Sequence, residues 1–243
     1  MKERPIIFSG PMVRAILEGR KTQMRRVVKP QPRTRADIGH FGAGMPFIRT
    51  ASKPVRCPYG QAGEKLWVRQ TFALQTCVEG EYPPFDDGRP VLRRPEEDIE
   101  GWQPLWAQAH YRATDPAPDL CCDRDGCSQC RDYDMGPHWR PSIHMPRWAS
   151  RITLEVTGVR VERLQDISYK DAIAEGVADM AVLCDEMDPG WHNSVGETTE
   201  DVARRLRWPQ RAYRNLWESI NGAGSWDVNP WVWVIKFKRV EPA

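Results

Sequence analysis

The last alternating stretch of the chain, Trp231 to Lys238, sets the firmest limit on what it can fold into. Trp231, Trp233, Ile235 and Phe237 fall on one side of the alternation, which predicts a strand with a heavily apolar face. Ile152, Leu154 and Val156 repeat the pattern, and Val159 and Val161 take it up in the opposite phase across Gly158, as at a β-bulge. Further short strands are expected at 6–8, 65–69 and 107–112. Helical spacing appears in three places only. Met12, Ala15 and Ile16 follow Pro11 and stop at Gly19; a helix capped by Ser168 and Asp171 stops at Gly176; Tyr213, Leu216, Trp217 and Ile220 mark one that enters at Pro209 and ends at Asn221-Gly222. Short strands with two or three helices, and no repeated βαβ unit, predict an α+β chain built as a small mixed β-barrel.

Between these elements the periodicity fails. Residues 30–56 carry Pro30, Pro32, Pro46 and Pro54 with Arg33, Arg35, Arg49 and Arg56, and read as an irregular loop. Stretches near 78–103, 115–138 and 178–207 read as further insertions, the last of them strongly acidic. Trp139 to Arg147 contains Pro141 and Pro146, which makes it extended or turned. We therefore expect one domain, 1–243, with four loop insertions.

Charge is unevenly spread. The chain carries a net +2, yet residues 1–35 hold ten Lys/Arg against two acids. Four of those cations, Arg20, Lys21, Arg25 and Arg26, crowd the junction between the first helix and the pair Val27-Val28, a placement suited to meeting an anion. Phosphate contacts are expected from them. Base stacking is expected from Trp139 and Trp148, and polar contacts to a base or sugar from Ser142, His144 and Arg147. Glu175 closes the second helix, where the dipole disfavours a carboxylate. Facing Lys21 would stabilise and orient both groups, and the pair would be able to move a proton.

No run of 18 apolar residues occurs, and no apolar secretory segment follows Met1-Lys2-Glu3-Arg4-Pro5, so a cytoplasmic location is expected. Cysteines there are thiols or metal ligands rather than disulfides. Cys121, Cys122, Cys127 and Cys130 have the close spacing of a structural zinc clip, with His138 or Cys57 able to replace Cys121.

Gly19, Lys21 and Arg26 match the GxKxxxxR signature of the ASCH domain, a β-barrel related to the PUA fold. Gly63-Glu64-Lys65-Leu66-Trp67-Val68 is similar to that family's entry strand, and Ala174-Glu175-Gly176 continues the resemblance. With Trp139 to Arg151 and Asn221 to Val234, the whole chain resembles a long ASCH subgroup encoded largely by phages and prophages. That resemblance implies a PUA-like barrel in the cytoplasm of a bacterial host, binding RNA, DNA or a modified nucleoside in a basic cleft. A second implication is a hydrolase of the acetylcytidine amidohydrolase or nuclease type, with Lys21 and Glu175 on the family's catalytic lysine and glutamate. The family's nucleophilic threonine position holds Met24 here, and the nearest hydroxyl is Thr22. A third is a phage accessory protein that binds a host protein through its loops.

Overall fold

The structure is a computed structural model that describes residues 2–77, 89–93, 106–115, 138–177 and 208–240. Its chain is mixed α+β, with three α-helices and three sheets among the described residues. None of the helices is long and apolar enough to cross a membrane. Packing divides the chain into two compact units, one of residues 1–14, 65–154 and 240–243, the other of residues 15–64 and 155–239. Strands β1 (Glu3–Ile7) and β6 (Lys65–Arg69) belong to the first unit and β2 (Gln23–Val27) and, but for its last residue, β11 (Trp231–Val240) to the second, while β10 (Thr153–Arg163) runs from the end of the first into the second.

In the first unit β1 lies parallel to β6, with Glu3 opposite Lys65 and Ile7 opposite Arg69. Pro5 is tolerated because β1 is an edge strand, where a missing N–H leaves no ladder bond broken. Strands β7 (Phe72–Cys77), β9 (Trp106–Tyr111) and β8 (Val91–Arg93) form an antiparallel sheet. The strand β8 falls inside a stretch that the sequence presents as an insertion; three residues are too few to show a period. Phe72, Ala109 and Tyr111 on one face pack on Met145 and Ala149. Those two belong to the stretch with Pro141 and Pro146, which forms two 3₁₀ turns, and Tyr111 donates to the Ala149 carbonyl at 2.8 Å. On the alternate positions Gln108 and His110 are buried, with Arg89 against the imidazole.

The second unit carries the sequence elements of greatest interest. Strand β2 pairs antiparallel with β11, Gln23 opposite Lys236 and Val27 opposite Val232. Residues Trp231 to Ile235 are buried on both faces. On one face Val232 and Val234 meet Ala172 of α2 (Tyr169–Ala174) and Ala212, Tyr213 and Trp217 of α3 (Trp208–Asn221). Each large aromatic there removes on the order of 150–250 Å² from water, a few kcal/mol apiece at ~25 cal/mol per Å². Ser168 caps α2 by accepting from the Asp171 N–H at 3.1 Å, and Gly176, at φ 88°, ends it.

Residues 30–56 correct the expectation of an irregular loop. They form a three-stranded sheet, β3 (Ile38–Phe41), β4 (Met45–Ile48) and β5 (Val55–Arg56), in that order. Pro46 sits in the middle strand without penalty, because β5 reaches only Phe47 and Ile48. Gly39 is required opposite Phe47: a Cβ there would lie 2.4 Å from the ring. Phe47 covers that glycine and stacks on Phe41 with ring centres 4.1 Å apart.

Candidate functional site

The basic stretch is reached through α1 (Gly10–Leu17), which Gly19 ends at φ 75°. From there the chain bridges to the end of α2: Lys21 pairs with Glu175 as an isolated antiparallel bridge, and the Thr22 N–H donates to the Ala174 carbonyl at 2.9 Å. The Lys21 Nζ donates to the Glu175 carboxylate and to the Glu175 carbonyl, each at 2.9 Å. One ammonium thus answers both the negative end of the helix and the carboxylate placed unfavourably upon it. Lys21 is 2 % exposed and Glu175 4 %. Burial pushes the Lys21 pKa below its ordinary value, and the charge and hydrogen bond of Glu175 restore only part of it.

The Arg25 side chain is fully withdrawn from solvent. Its Nη1 donates to Glu175 Oε1 at 2.9 Å, its Nη2 donates to Glu162 at 2.5 Å, and Asp171 lies 3.6 Å away. The Tyr213 ring sits 5.7 Å from the guanidinium carbon. Burial works against the Arg25 charge, but Glu175, Tyr213 and Glu162 together hold its pKa above the ordinary value. Burial likewise drives the Tyr213 pKa well above 10, with Glu175 adding to the effect. Arg160 closes the network with bonds to Glu162 at 2.7 Å, Asp171 at 2.9 Å and Gln23 at 3.3 Å. Three cations, Lys21, Arg25 and Arg160, meet three carboxylates, Glu162, Asp171 and Glu175. Such a network contributes little net field for steering an anion, although losing one member leaves a buried charge uncompensated.

Alternation from Lys21 through β2 puts Lys21, Gln23 and Arg25 on the network side and Thr22, Met24 and Arg26 on the other. Met24 is 2 % exposed and lies opposite Ile235; Thr22 is exposed. Neither is in position to act as a nucleophile beside Lys21. Arg20 is half-buried, paired with Glu18 and within 3.4 Å of the Gly176 carbonyl; Arg26 is also half-buried.

The remaining expected contact residues belong to the first unit. Arg147 is exposed and bonds Glu3 at 2.8 Å, with the Trp67 ring 6.0 Å away. Trp139 and Ser142 are half-buried, His144 is exposed, and Trp148 packs partly against the Phe72–Tyr111 cluster. Cys121, Cys122, Cys127 and Cys130 lie outside the described residues, while Cys57 is buried.

Arg160, Glu162 and Tyr213 are network members that the sequence does not announce. The only available signal is that Arg160 and Glu162 are two apart on a strand and so share a face. Asp171, in the sequence a capping partner of Ser168, serves Arg160 with the same oxygen that Ser168 holds at 2.9 Å. Comparison of the chain with protein-family models, with curated proteins and with solved structures finds no match.

Proposed function

We propose that this chain is an ASCH-type protein on a PUA-like barrel, and that it binds RNA, DNA or a modified nucleoside at the Lys21–Glu175 pair. The observation that carries this reading is the pair itself. Two residues 154 positions apart, linked in the sequence by the helix-end position of Glu175 and by the family resemblance, stand in a buried ion pair at 2.9 Å. Arg20 and Arg26, which keep some exposed surface, supply phosphate contacts. Titration of the wild type and of Glu175→Gln with oligonucleotides and acetylcytidine tests the reading.

The hydrolase reading draws on one specific feature, the lowered proton affinity of Lys21, since acid–base chemistry favours a group whose pKa is brought toward neutrality. Against it, Thr22 and Met24 are on the other side of the strand from Lys21. Binding therefore ranks first. A structural zinc on the Cys121–Cys130 cluster belongs to the same proposal.

A further inference from the structure

Within the second unit, the segment after β2 and the end of β4 border a cleft of ≈ 470 Å³. We infer that this cleft is a phosphate-binding site that takes the phosphate of a nucleotide, with Arg33 and Arg49 as its paired cations. The inference does not rest on the Lys21–Glu175 reading, because no residue is shared between the two sites.

Construction of the cleft favours an anion. Both guanidinium groups are exposed, and neither has a carboxylate partner among the described residues. Asp37 fixes the backbone that carries both of them: its Oδ2 accepts from the Arg33 N–H at 2.9 Å and the Thr34 N–H at 3.0 Å, and its carbonyl accepts from the Arg49 N–H at 2.7 Å. The one acid of the lining is thus engaged by two backbone donors, while both forks remain open. Two planar guanidinium forks suit the oxygens of a phosphate, which they grip bidentately.

Rigidity comes from Gln31. Its Nε2 donates to the Val28 and Trp231 carbonyls at 2.6 and 3.0 Å, and its Oε1 accepts from the Trp231 N–H at 2.8 Å, so the loop is pinned to the start of β11. A preformed site loses less on binding than one that must be ordered first. Pro30, Pro32 and Ile48 provide apolar wall, and the volume lies in the range that holds a small ligand. A nucleotide unites the two requirements, an anion for the arginines and a flat apolar ring for the wall.

The test uses calorimetric titration of the full chain with AMP, adenosine and a short oligonucleotide with and without a 5′-phosphate. Wild type should bind AMP, or the phosphorylated oligonucleotide, at least tenfold tighter than its phosphate-free counterpart. The AMP arm identifies a free nucleotide as the source, and the oligonucleotide arm a chain end. Arg33→Ala/Arg49→Ala should lose at least tenfold, whereas Arg35→Ala, an exposed arginine of the same loop outside the cleft, should stay within twofold. Absence of any preference for phosphate in the wild type overturns the site. So does an unchanged double variant, or an Arg35→Ala loss as large as the double variant's. Loss of AMP binding in Glu175→Gln alone would move the ligand to the Lys21 pair.

Discussion

Two pairs of cations in the basic early part of the chain meet opposite fates. Lys21 and Arg25 are buried and answered by Glu162, Asp171 and Glu175, while Arg33 and Arg49 stand exposed over a cleft with no carboxylate partner among the described residues. The first pair even lies in the denser run, with four Lys/Arg in residues 20–26 against three in residues 33–49. The difference lies in what distant segments bring to each, since all three acids that neutralise the first pair lie beyond residue 160. A cluster of arginines in a sequence is therefore an offer of positive charge that the rest of the fold either withdraws or leaves open.

Stability separates the two pairs most sharply. Arg25→Ala leaves buried carboxylates uncompensated and should cost about 3–5 kcal/mol, whereas Arg33→Ala and Arg49→Ala should each fall within about 0.5 kcal/mol of wild type. Urea unfolding measures both, and equal losses would erase the distinction. Next in size is Met24→Thr, which buries a hydroxyl on the face away from Lys21 and should cost about 1–3 kcal/mol. It should not raise acetylcytidine hydrolysis. A gain in turnover would mean that residue 24 reaches the network side after all.

The network should also show in acid. Burial works to raise the Asp171 pKa, but the Ser168 hydroxyl and the charges of Arg160 and Arg25 hold it below the ordinary value. A carboxylate lowered on folding contributes stability that is fully present above its unfolded pKa of about 3.9 and is lost as pH falls through the folded value. Stability of the wild type should thus decline below about pH 4 more steeply than that of Asp171→Asn. Parallel declines would remove Asp171 from the account. The smallest expected effect on this comparison is metal: protein purified without chelator should carry about one zinc per chain, and Cys127→Ser should lose it. A metal-free wild type ends that proposal.

How much of this the sequence disclosed differs by element. Strand β11, the Ser168 cap and the glycine ends of α1 and α2 are legible because each depends on local periodicity or on one residue's backbone preference. The sheet of residues 38–56 is not, since strands of two to four residues are too short to display alternation and Pro46 argues against them. The burial of Arg25 is hidden for a related reason. Gln23, Arg25 and Val27 form one face of β2, but two of the three are polar, so the face does not register as a core face. Its compensation comes from β10 and α2, over 130 residues away, which no local pattern reveals. The contact of Lys21 with Glu175 was approachable only through the family resemblance and the misplaced charge of Glu175 at a helix end.

Contact of the Lys21–Glu175 pair with a nucleic-acid or nucleoside ligand is read by ligand titration. Single-stranded RNA, single-stranded DNA and acetylcytidine are titrated at low salt into the wild type and into Glu175→Gln, with an unfolding transition showing that the variant is folded. Wild type should bind at least one of the three, and Glu175→Gln should bind it at least tenfold more weakly. Equal affinity in the folded variant, or no binding of any of the three by wild type, would contradict that contact.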